Sequence, residues 1–169
     1  MRISKLGALC AATAISVTGL ALPLAQSASA SPPHVVCGKI VATTTINGPN
    51  GTTATTWSNC TPTALKAGGS SKVTVPVEQL LGNLKSTITW KNGKGTTKVT
   101  MKYVTQKTKT GCPAGTAYRT KITGTTGAST GAAKTIVKVG ETITAEVCTK
   151  VVTQTKYASA LKPGTKFKI

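Results

Sequence analysis

Between Leu84 and Tyr103 the residues alternate in character one by one, and Asn92-Gly93 interrupts the alternation near its middle. Asn-Gly accepts the positive backbone angles that a type I′ turn needs at both central positions, and the twist of that turn matches two antiparallel strands. A two-residue loop at 92–93 pairs Lys91 with Lys94, Trp90 with Gly95, Ile88 with Thr97, Ser86 with Val99 and Leu84 with Met101. Leu84, Ile88, Trp90, Val99 and Met101 then share one face, which Tyr103 extends, while Lys85, Lys91, Lys94, Lys98 and Lys102 stand among threonines on the other. A slip of one residue would set Ile88 opposite Lys98 and mix the two faces, so the pattern selects its own register. The apolar side is expected to be core and the Lys/Thr side to face water.

The same period of two predicts further strands at 34–46, 53–60, 71–77, 116–124, 134–139 and 142–153, with a last one within 165–169. Turn signals separate them: NGPNG at 47–51, AGGSS at 67–71, GCPAG at 111–115, GTTGASTGAA at 124–133 and KPG at 162–164. The one helical candidate, VPVEQLLGNLK at 75–85, is bracketed by Pro76 and Gly82 and has room for one or two turns. Seven to nine short antiparallel strands predict an all-β fold. An immunoglobulin-like β-sandwich is the first expectation and a small β-barrel the alternative. Within the strands, Val73, Val75 and Val77 share a face, as do Tyr118, Thr120 and Ile122, and also Ile143, Ala145 and Val147. Thr144, Glu146 and Cys148 point the other way, so a disulfide at Cys148 would tie an outer face to a loop, unlike the cross-core bridge of antibody domains. The threonine runs ATTTI at 42–46 and TTATT at 52–56 carry no fixed repeat and read as ordinary strand propensity on wet faces.

Arg2 and Lys5 precede an apolar run from Leu6 to Leu24 that closes on Ala28-Ser29-Ala30, the pattern of a secretory signal peptide over 1–30. Cleavage after Ala30 leaves 31–169 as a single secreted domain with no transmembrane segment, because no later stretch approaches the roughly 20 apolar residues that span a bilayer. Cys37, Cys60, Cys112 and Cys148 remain, an even set that in an exported chain reads as two disulfides. Three connectivities exist; pairing Cys37 with Cys60 and Cys112 with Cys148 is the expected one, because these local loops close easily and leave the middle hairpin free. The cysteines lack paired C-x-x-C spacing, which argues against zinc.

Of 21 basic residues, Arg2 and Lys5 leave with the signal peptide; the remaining 19 face three glutamates and no aspartate, a net charge of +16. Such a surface is drawn to polyanions. Acid–base chemistry, in contrast, has little to work with: His34 is the sole histidine, and Glu141 and Glu146 fall on opposite faces of one strand. No phosphate loop, dinucleotide fingerprint or calcium loop occurs, so neither an enzyme nor a cofactor is expected. Specific nucleic-acid binding is not expected either, because Trp90 and Tyr103 fall on the core face and cannot stack on bases.

The hairpin TWKNGK at 89–94, CPAGT at 112–116, VGET at 139–142 and LKPGTKF at 161–167 together resemble a loose group of small exported actinobacterial proteins of unknown function. The resemblance implies a disulfide-bonded β domain in or beyond a cell envelope, and no activity. The expected function is a non-enzymatic, secreted cationic binding protein whose Lys85, Lys91, Lys94, Lys98 and Lys102 contact an anionic polymer or lipid surface of the cell envelope. The alternative is an inhibitor or toxin-like effector that engages a protein target through the loops near Cys112 and at 124–133.

Overall fold

The computed structural model describes residues 34–169; the expected signal peptide at 1–30 and the three residues after it lie outside the described residues. Nine strands follow one another: β1 Val36–Asn47, β2 Asn50–Thr61, β3 Gly69–Pro76, β4 Asn83–Trp90, β5 Gly95–Thr105, β6 Tyr118–Ser129, β7 Thr142–Thr153, β8 Lys156–Leu161 and β9 Phe167–Lys168. Each of the first eight pairs antiparallel with its neighbour in sequence, and β8 returns to β1 over Val41–Thr45. The sheet therefore closes into an eight-position barrel. β9 continues the line of β8, filling the wall between Val36-Cys37 of β1 and Thr144 of β7.

The sandwich expectation is corrected here to the barrel alternative. A sandwich needs strands that change sheets, whereas in this chain every connection from β1 to β8 joins adjacent antiparallel strands and β8 finds β1, which removes both edges. The hairpin register is the expected one: Trp90 lies opposite Gly95, Ile88 opposite Thr97, Ser86 opposite Val99 and Leu84 opposite Met101. Asn92 and Gly93 carry φ of 57° and 65°, as a type I′ turn requires.

Two segments depart from expectation. The stretch at 134–139 is not a strand; a short helix, Ala133–Ile136, docks beneath the hairpin with the Ala133 amide on the Lys94 carbonyl. Both edges of β6 are already taken by β5 and β7, so this segment has no strand to join. The glycine-rich stretch at 124–133, expected to be a loop, is mostly strand. A Cβ on Gly124 would overlap the Thr100 carbonyl oxygen, so the glycine lets β6 lie close against β5 beside the register shift at Thr97/Val99. The helical candidate at 75–85 proves to be a single 3₁₀ turn, Val77–Gln79. β8 has no counterpart among the expected strands.

The antiparallel course gives the barrel two ends. At the lower end the loops at 62–68, 91–94 and 130–141 converge, while the segment at 162–166 bulges from the wall between β8 and β9 beside Glu146, and the interior is filled by Trp57, Trp90, Phe167, Leu65, Ile88 and Ile143, all buried. Each such side chain contributes about 1.5–3 kcal/mol when taken from water. Trp90 tolerates burial because its Nε1–H donates to Thr97 Oγ1 at 2.9 Å. Val35 and Ile169 exchange backbone hydrogen bonds of 2.8 and 3.0 Å, which fastens both ends of the described chain beneath the barrel.

Two disulfides reinforce the wall. Cys37–Cys60 links directly paired residues of β1 and β2, and Cys112–Cys148 ties the loop at 106–117 to the outer face of β7. Beside it, Glu146 accepts two hydrogen bonds from Arg119 Nη2, at 2.9 and 3.0 Å, and one from Lys162 Nζ at 3.2 Å. The Arg119 hydrogen bonds, aided by Lys162, hold the Glu146 carboxyl below its usual range, against a partial burial that would raise it. Outward positions elsewhere carry lysine and threonine, the reverse of a lipid-embedded barrel, whose outer wall is apolar.

Two outcomes are expected. Gly124→Val should cost about 2–3 kcal/mol in urea unfolding, because the clash is with backbone that cannot rotate away; an unchanged midpoint would refute the close β5–β6 approach. Glu146→Gln should cost on the order of 1 kcal/mol at neutral pH. Because the folded-state pKa is lowered, that contribution is present above the unfolded-state value and vanishes as pH falls through the folded one, so the two unfolding curves should converge in acid.

Candidate functional site

The upper half of the barrel is hollow. Strand alternation turns Ala42 and Thr44 of β1, Thr53 and Thr55 of β2, Thr149 of β7 and Ser159 of β8 inward, and these are too small to meet across an eight-strand interior. A lumen of about 540 Å³ results. Trp57 and Phe167 form its floor, their ring centroids 5.6 Å apart and the planes tilted by 52°. Met101, Tyr103, Ile122 and Val147 supply further apolar wall. Val77, Leu80 and Leu81 arch over the top from the connection between β3 and β4, with Leu80 seated against Gly51. Val77, Leu81 and Tyr118 both line the lumen and are exposed, which locates its mouth at the upper end.

The wall is least continuous beside that arch. β3 pairs with β4 through Gly69–Trp90 and Ser70–Thr89 alone, near the lower end, while β2 and β3 pair along their length up to Asn50 and Pro76. Above Ser70 the two strands part, and the half-buried Val73 and Val75 stand along the gap.

Chemically the lumen is largely apolar, with several of its hydroxyls paired and the Trp57 Nε1–H of its floor left without a partner. Thr44 and Thr53 share a hydrogen bond of 2.9 Å and Thr149 and Ser159 one of 2.7 Å, so cross-strand pairs absorb much of the polarity of the small residues. Tyr103 directs its hydroxyl to Met101 Sδ at 3.9 Å, and burial pushes its phenol up to about 12. Among the described residues no acidic, basic or histidine side chain lines the lumen. A charged ligand group placed deep inside would find no counter-charge.

The threonine runs therefore need correcting in part: Thr43, Thr45, Thr52 and Thr56 lie on the outer wall, but Thr44, Thr53 and Thr55 face the cavity. The available signal was the size of inward residues read in phase, since Ala42, Thr44, Thr53 and Thr55 replace the Ile and Trp found one or two positions lower on the same strands.

The five hairpin lysines do not meet at one place. Lys85, Lys98 and Lys102 project from the outer wall of β4 and β5, where Lys85 and Lys98 edge a shallow depression with Thr87 and Thr100. Lys91 and Lys94 flank the turn at the lower end. His34 and Glu141 come together there as well: Nδ1 stands 2.7 Å from Oε1 without hydrogen-bond alignment, and neither carboxylate oxygen has an aligned donor. Among the described residues no three His, Cys, Asp or Glu side chains converge as metal ligands, and no helix is long and apolar enough to cross a membrane. No family model, curated protein or solved structure matches the chain, so the reading of this site rests on its geometry.

Proposed function

We propose that this protein is a secreted, non-enzymatic binding protein that holds one small apolar molecule in its barrel. The observation that carries this reading is the uncharged lumen of about 540 Å³, open at one end and floored by Trp57 and Phe167. Ligand sites fall at about 300–1,000 Å³ and combine apolar walls with few polar groups. The lumen hydroxyls can supply one or two hydrogen bonds to a carbonyl or hydroxyl on an otherwise hydrocarbon ligand. Export fits the two disulfides, which belong to oxidising compartments.

A second reading is supported by the Lys/Thr exterior: attraction to anionic polymers or lipids of the cell envelope. Lys85, Lys98 and Lys102 remain available on the outer wall for it. With the lysines dispersed, this attraction is long-range and salt-sensitive, and it brings the protein to a surface without selecting a molecule there.

Filling the lumen separates the ligand from the wall. Ala42→Trp places a large ring among the lumen residues, whereas Ala54→Trp places it on the outer face, where Ala54 is exposed opposite Thr43. In titrations with an environment-sensitive fluorescent fatty acid, Ala42→Trp should weaken binding by about tenfold or more and Ala54→Trp should leave it near wild type. Equal affinity for all three chains would sink the lumen reading. Alkaline titration followed by tyrosine absorbance offers an independent check, since Tyr103 should ionise near 12. Its folded-state value is raised, so its contribution to stability is complete below the unfolded-state value near 10 and is lost as pH climbs through the folded one. Tyr103→Phe should therefore unfold less steeply in strong alkali than the parent chain.

A further inference from the structure

Exposed apolar side chains are not scattered over this barrel. Of the eight large hydrophobic side chains that are exposed among the described residues, six stand at the upper end: Val77, Leu81, Val104, Tyr118, Val151 and Val152. They come from the β3–β4 connection, the end of β5, the start of β6 and the end of β7, so they surround most of the lumen mouth. Leu81 is 62% exposed and Val152 55%. Patches of this kind on a soluble surface mark places where something binds.

Charge identifies the partner. Lys107, Lys109, Lys150 and Lys156 lie on the strand ends and loops of this same end, with Lys102 and Lys121 a few residues farther down the wall, and Glu78 and Glu146 are the acidic side chains among them. Arg119, also there, is occupied by Glu146. The loop that bears Lys107 and Lys109 leaves the upper end of β5 and is held to the outer wall by Cys112–Cys148. An apolar ring set among cations is complementary to a surface with an anionic outer layer and a hydrocarbon interior. It is not complementary to a second copy of itself, whose rim would bring the same lysines face to face.

We propose that the open end of the barrel docks on the surface of an anionic lipid bilayer, with the exposed apolar rim entering the headgroup layer and the flanking lysines contacting lipid phosphates. The proposal rests on the lumen reading, because a docked mouth lets an apolar ligand pass between bilayer and barrel without crossing water. The gap between β3 and β4 opens toward the same end and widens that path.

The test uses the purified chain with phosphatidylcholine vesicles, with and without phosphatidylglycerol, and reads the bound fraction by flotation at low and high salt. Binding should require phosphatidylglycerol and weaken with salt. Two triple variants at the rim, V104S/V151S/V152S and K107Q/K109Q/K156Q, should each lose about tenfold or more of the partitioning. A lower-end control, K91Q/K94Q/K134Q, should stay within about threefold of wild type. Rim variants that bind like wild type would overturn the proposal, as would a control that loses as much as they do, or an upper-end dimer in vesicle-free buffer. None of the substituted rim residues lines the lumen. Uptake of the fluorescent fatty acid without vesicles therefore reports their folding and tests the lumen separately. Vesicle binding with the stated pattern but no uptake by the wild type would leave docking standing and refute the lumen reading; uptake without vesicle binding would do the reverse.

Discussion

The ladder between β1 and β8, five residue pairs from Val41–Ala160 to Thr45–Lys156, is the contact on which the molecule depends. Without it the strands form an open meander whose apolar face needs a second layer to cover it. With it the same face becomes the inside of a tube, and no second layer is needed. Closure also disposes of both edge strands at once, which matters in a chain whose strands reach 12 residues and would otherwise offer long templates for aggregation.

Once the tube exists, what it contains is decided by side-chain volume along its axis. Lower inward positions carry Trp57, Trp90, Ile88 and Phe167, which meet and fill the section. Upper ones carry Ala42, Thr44, Thr55 and Ser159, which cannot. The packed half supplies rigidity and the hollow half supplies space, so the floor of the cavity is also the roof of the core. Such a division is stable because the small residues are themselves quiet: the Thr44–Thr53 and Thr149–Ser159 pairs satisfy one another and spare an empty lumen the cost of orphaned hydroxyls.

Much of the hairpin was legible in the sequence, down to the opposition of Leu84 and Met101, because Asn-Gly and strict alternation specify turn and register together. Closure was not, since a sandwich and a barrel both turn one apolar face inward and period-two alternation is the same in each. β8 was hidden for a related reason: its inward Tyr157 and Ser159 alternate with Ala158 and Ala160, which gives little contrast in polarity. The segment at 134–139 has the composition of a strand, yet it finds Thr126 already bonded to Gly140 and Glu141 and no open edge to join. As for the site, its residues were visible as strand positions but not as a cavity, because emptiness arises only when small residues from several strands fall at the same height.

The net charge of +16 carried by residues 34–169 and distributed over the outer wall changes what specificity can mean for such a protein. Where cations point in nearly every direction, an anion is attracted everywhere and fixed nowhere; Lys85 and Lys98 on the wall, Lys91 and Lys94 at the lower end and Lys156 at the upper end exert similar long-range pull. Discrimination must then come from surfaces that differ from this background. Two do: the apolar rim, where exposed hydrocarbon is concentrated, and the lumen, where charge is absent. They lie at the same end because the small inward residues of β1, β2, β7 and β8 open the cavity just below a rim that carries Tyr118, Leu81 and the exposed valines.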